Sequence, residues 1–275
     1  MPPLNLKVSK LSERDVDFLT ETVSPEVSDQ YRLKGVIRED EDFRNKFIGD
    51  ERVFRRVMDD DEIFLKISPS LFFEILLRKA ARDLEKTGYT IERTSTMKVP
   101  VFDAGDVVEL LTKESLLTYL AHMLSSFTRI ESYAISFKAR KGFWHTIRFN
   151  DLDIQSLMSF CDVVEEERRL GFYKRIGDIC LFIMGLFPDY VEREHRYPFS
   201  GHLRPQAPGK LRISPEEYEE EGRRFYRLAA EHPSAREMDL SDVFWALHEK
   251  FQAAKKPLNF IAEHYLHDKK HMVFG

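Results

Sequence analysis

The chain has 275 residues, of which 43% are hydrophobic and 22 are Phe, ample for a folded core in one large domain or two ordinary ones. A formal net charge of −5 and a pI near 6.0 exclude a surface that coats nucleic acid or membrane along its whole extent, so any basic site is local. The opening MPPLNLKVSK lacks a secretory apolar run, and the longest apolar block, 176–187, is interrupted by Asp178 and far short of the roughly 20 residues that cross a bilayer. With only two cysteines, Cys161 and Cys180, both among apolar residues, a reduced cytoplasmic setting is expected.

Residues 11–66 read as short helices: Ser12 caps a first one through Phe18 and Leu19, and Phe43, Phe47, Phe54 and Val57 recur at helical intervals. Ser68-Pro69 is a cap followed by a first-turn proline. Leu71, Phe72, Ile75, Leu76 and Leu84 then form an apolar stripe that ends at Gly88. From Tyr89 to Phe102 β-branched residues and Pro100 predict an extended segment or short edge strand.

Two helical runs follow, Asp106 to Leu111 and Ser115 to Phe127, separated by Thr112-Lys113-Glu114. Alternation then predicts a hairpin, with Tyr133, Ile135 and Phe137 on one face of its first strand and Phe143, Ile147 and Phe149 on one face of its second. After Asn150 the pattern is helical, with Asp151 or Asp153 as a cap and Ile154, Leu157, Met158 and Cys161 in register. A helix from Phe172 to Phe187, apolar nearly all round, should be the central buried element of the C-terminal half. The Pro- and Gly-containing stretch 195–213 is a long loop, rich in Arg and Lys and without acids. Ser214-Pro215 with Glu217 restarts a helix through a capping box, Asp239 or Ser241 starts the last helical region, and Pro257 kinks or splits it.

This order predicts a mainly α (α+β) fold: an N-terminal helical region 1–67, a winged-helix-like module 68–150 with a β-hairpin, and a C-terminal helical bundle 151–275. In that module the hairpin would carry the contact surface. Between Arg129 and Arg148 there are five basic residues against one acid, Glu131. Lys138, Arg140, Lys141, Trp144 and Arg148 are therefore the candidate binding residues, the charges for phosphate or carboxylate and the indole for stacking. The preceding run Ser115–Phe127 contains no Arg, Lys, Asn or Gln to pair with base edges and reads as core.

Other constellations point elsewhere. His264, His267 and His271 fall at i, i+3 and i+7, and on one continuous helix would share a face able to hold a divalent metal such as zinc or iron. Glu192 and His195 have the spacing of half a di-iron site, with no second such pair to complete it. Asp178, set among apolar residues, requires a partner. Lys174 or Arg175 stands one turn back, and Tyr173, Tyr218 and Tyr226 are within reach. No phosphate-cradling glycine loop and no nucleophile elbow occurs.

The sequence thus leads to a non-enzymatic, cytoplasmic regulatory or interaction protein that needs no cofactor. It would engage a macromolecule through a basic-aromatic hairpin, with protein ranked ahead of nucleic acid, and with association between copies of the chain left open. The alternative is a metal-dependent hydrolase or oxidase in the C-terminal bundle.

Overall fold

The computed structural model describes residues 11–93, 97–128, 132–138, 144–150, 153–188 and 214–274, with 132–138 and 144–150 described as backbone. It is a mainly α fold with small antiparallel hairpins, and the described residues fall into two compact units, one of 11–128 with 260–274 and one of 132–259.

In the first unit, side-chain caps set several of the helix starts. Helix α1 (Glu13–Val23) begins with a capping box: the Asp15 N–H donates to the Ser12 hydroxyl at 3.2 Å, and the Ser12 N–H donates to the Asp15 carboxylate at 2.9 Å. Aspartates 29, 40 and 50 cap α2 (Gln30–Glu39), α3 (Glu41–Ile48) and α4 (Glu51–Asp59), and a single turn, α5 (Ile63–Lys66), follows. Helix α6 (Pro69–Thr87) has the predicted punctuation. Ser68 accepts the Leu71 N–H, Pro69 occupies the first turn, and Gly88 closes the helix at φ +76°, a conformation that needs glycine.

Helix α6 is the axis of this unit. Phe73, Leu76, Leu77 and Ala80 are fully buried, and burying each large side chain contributes about 1.5–3 kcal/mol. Against it lie α7 (Ala104–Thr112) and α8 (Glu114–Ser125), with Leu84 meeting Ala104, Val107 and Phe260. Between α6 and α7 the predicted extended stretch is a hairpin of β1 (Thr90–Arg93) and β2 (Lys98–Val101), with Ile91 opposite Pro100. Proline is tolerated there because the two-stranded sheet has open edges.

In the second unit β3 (Ser132–Lys138) and β4 (Trp144–Asn150) form a separate two-stranded sheet. The extended segment before α7, strand β2, has β1 as its partner. Helix α9 (Ile154–Cys161) starts at Asp153, and a 3-10 turn at Glu166–Arg168 leads into α10 (Arg169–Leu186). As expected, α10 is the buried centre, with Ile176, Ile179, Cys180, Leu181 and Leu186 inaccessible.

Around α10 and beyond it lie α11 (Pro215–Glu231), opened by the Ser214–Glu217 capping box, α12 (Pro233–Glu237) and α13 (Ser241–Glu249). Helix α14 (Phe251–His264) continues through Pro257 and is not split by it. Its companion contacts explain the continuity: Leu258 is fully buried against Gly185, and the Asn259 amide donates to the Met184 carbonyl at 3.0 Å. Such packing outweighs the one helical hydrogen bond that proline removes. The chain ends in α15 (Lys270–Phe274).

Candidate functional site

The β3–β4 register arranges the hairpin residues that the sequence singled out. Lys138 is opposite Trp144 and Ala134 is opposite Arg148. Because successive strand residues alternate between faces, the positions of Lys138, Trp144 and Arg148 share one face with Ser132, Ser136, Thr146 and Asn150. The other face takes the pairs Tyr133 with Phe149, Ile135 with Ile147 and Phe137 with His145. Neither set contains an acid. By residue type the hairpin is amphipathic: the positions of one face are polar or charged apart from Ala134 and Trp144, and those of the other are apolar or aromatic, with His145 among them. Arg140 and Lys141 lie outside the described residues, as do Phe143, the Glu192–His195 pair and the basic stretch 195–213.

Helix α8, the expected core helix, is core: Leu116, Leu117, Leu120, Ala121, Met123 and Leu124 are buried. No helical surface with base-pairing side chains is offered there.

The three histidines do not share a helix. His264 closes α14, residues 265–269 form turns, and His271 belongs to α15. No glycine or proline stops the helix; tertiary anchoring does. The Leu266 N–H reaches back to the Ile261 carbonyl at 3.0 Å, Leu266 is fully buried, and the Tyr265 hydroxyl donates to Asp83 at 2.7 Å. The His264 ring stacks on Phe260 with centroids 4.1 Å apart, and His267 is exposed beside Asp268. Among the described residues no group of three or more His, Cys, Asp or Glu side chains is placed to hold a metal ion.

Asp178 has the partners that its surroundings require. It is fully buried, Lys174 donates to one carboxylate oxygen at 2.5 Å, and the Tyr226 hydroxyl donates to the other at 3.0 Å. Tyr226 reaches it because Gly177, one residue before Asp178, lets the ring come within 3.0 Å of where a Cβ would stand. With both oxygens engaged, this carboxylate is a structural link between α10 and α11.

A second polar cluster, around the buried Glu74, had only a faint sequence signal, the Glu74–Arg78 spacing of four inside an apolar helix. The Arg78 guanidinium donates to Glu74 and to Asn45, each at 2.9 Å, and also to Glu114. Burial pushes the Glu74 carboxyl above its ordinary range, against the pull of Arg78. Both cysteines are buried, and desolvation raises the Cys161 thiol to about 11 and the Cys180 thiol further. Neither is poised as a nucleophile at neutral pH.

Among the described residues no helix is long and apolar enough to cross a membrane. No protein-family model, curated protein or solved structure matches the chain.

Proposed function

We propose that this chain is a non-enzymatic interaction protein that engages an anionic macromolecular partner through the polar face of β3–β4. One observation carries the reading: the register gathers Lys138, Trp144 and Arg148 on a face that holds no acid and is separate from the hairpin's apolar positions. In a chain of net charge −5, such a local surplus has to be placed against the overall charge balance. Arg129, Arg140 and Lys141 add to it in sequence. Two aligned cations attract carboxylate or phosphate, and the indole supplies apolar contact area at little conformational cost.

The test is binding of fluorescent polyglutamate and of heparin across a salt series, to the wild type and to the double variant Lys138→Glu, Lys141→Glu. The expected result is binding that weakens with salt and disappears in the variant. Failure of the wild type to bind either probe at low ionic strength, or equal binding by the variant, rejects the reading.

A further inference from the structure

We infer that the anion received by the β3–β4 face is single-stranded nucleic acid, with a base stacked at Trp144 and phosphates at Lys138 and Arg148. This rests on the proposed anion-binding role of the hairpin and goes beyond it by naming the partner. Charge alone suits a carboxylate-rich peptide and a phosphate backbone equally. The aromatic position separates them, because the register puts Trp144 on the face of the cations, while the next residue of β4, His145, alternates to the other face. A nucleobase presents a flat π surface to such a ring; an acidic side chain presents none.

The spacing fits a polymer that alternates charge with rings. Lys138 is directly across the ladder from Trp144, a Cα separation of about 4.5–5.5 Å. Arg148 lies four residues further along β4, about 13 Å by strand rise. Between them stand Ser136 and Thr146, paired in register, whose hydroxyls are phosphate and sugar donors by type. The order along the face is therefore cation with ring, hydroxyl pair, cation.

A single strand is favoured over a duplex for two reasons. Bases inside a duplex are already stacked on each other and have no face left for an indole. Reading duplex grooves needs an exposed element with base-pairing side chains, and α8, which by sequence position would supply it, is buried and lacks them. Two phosphate contacts on a single strand also predict a shallow salt dependence, a slope of about −1.4 in log K against log salt.

The experiment is fluorescence anisotropy with labelled single-stranded RNA and DNA, the matching duplexes and a polyglutamate peptide. Proteins are the wild type, Trp144→Ala, Trp144→Phe, Lys138→Gln and Arg148→Gln. The inference expects single strands to bind more tightly than duplex or peptide. Trp144→Ala should weaken single-strand binding roughly 5- to 150-fold at an unchanged salt slope, with Trp144→Phe restoring most of it. Lys138→Gln and Arg148→Gln should each reduce the slope by about 0.7. Trp144 and Trp245 are the two tryptophans, so a Trp245→Phe protein reports Trp144 alone, and its emission should be quenched by single strands. A purely structural Trp144 would give no quenching. Hairpin-dependent peptide binding without single-strand binding overturns the inference and leaves the anion-binding role standing. Equal duplex affinity, or single-strand binding with no Trp144 quenching, overturns the inference alone, and no binding by any probe rejects both.

Discussion

The Asp15 carboxylate accepts the backbone N–H of Ser68 at 2.7 Å, across 53 positions of sequence, while its other oxygen accepts the Ser12 N–H at 2.9 Å and the Ser12 hydroxyl at 2.8 Å. One buried acid thereby completes the capping box of α1 and docks the residue that caps α6. Asn at this position keeps a single acceptor, so its amide must face one of these donors. Asp15→Asn should cost about 1–3 kcal/mol, the penalty of leaving a buried donor unpaired. Urea denaturation measures it, and a midpoint equal to the wild type's would show that the shared carboxylate adds nothing.

The Arg78 cluster predicts an asymmetry between its members. Arg78→Met removes the donor shared by Glu74, Asn45 and Glu114 and should destabilise by about 1–3 kcal/mol. Glu74→Gln should stay within about 1 kcal/mol at neutral pH, since burial already disfavours the ionised form. The sign of the pH dependence follows. A carboxyl whose folded pKa is raised contributes stability that is present below its unfolded value, about 4.5, and lost as pH rises through the folded one. Wild-type stability should therefore carry a decline above that pH that is missing in Glu74→Gln. Superimposable pH profiles for the two proteins would contradict the burial argument.

Two glycine-to-alanine changes should have opposite signs. At Gly222 in α11 a Cβ would stand 2.6 Å from the Phe251 ring and 2.9 Å from the Cys180 Cβ, so the α10–α11 contact must open. The expected cost is about 1–3 kcal/mol. At Gly35, inside α2, a Cβ meets nothing within 4 Å, and alanine should stabilise by about 0.5–1 kcal/mol through helix propensity. Paired thermal melts decide it, and a stabilised Gly222→Ala would mean that the helices are not in contact through this residue.

What the sequence made legible was chemistry acting over a few residues. Ser68, Pro69 and Gly88 mark the ends of α6, Ser214 and Glu217 mark the start of α11, and the isolated Asp178 pointed to Lys174 or Arg175 and to three tyrosines, of which Lys174 and Tyr226 are its partners. What escaped was decided at long range. The helix that would have aligned His264 with His271 ends because Tyr265 is tied to Asp83 and Lys269 to the Met58 carbonyl, partners about 180 and 210 positions away. The pairing of β2 with β1 was equally hidden, because alternation shows that a segment is extended but not which neighbour it joins. In the candidate site the residue types were legible, and the facing of Lys138 with Trp144 required the register.

His232 gives a prediction about a proton position. Its Nδ1 accepts the Ser234 N–H at 3.2 Å, capping α12, and its Nε2 lies 2.8 Å from the Glu166 carbonyl oxygen in the turn before α10. A carbonyl oxygen only accepts, so Nε2 must carry the hydrogen and Nδ1 must be bare. Nitrogen-15 NMR of the ring should therefore show the Nε2–H tautomer, and the Nδ1–H tautomer would rule the arrangement out. His232→Ala removes both bonds and should cost about 1–3 kcal/mol, the cap and one further hydrogen bond together. His232→Asn restores a capping oxygen but is too short to reach Glu166, so it should recover the cap's share alone. If alanine and asparagine cost the same, the link to Glu166 and not the cap carries the effect.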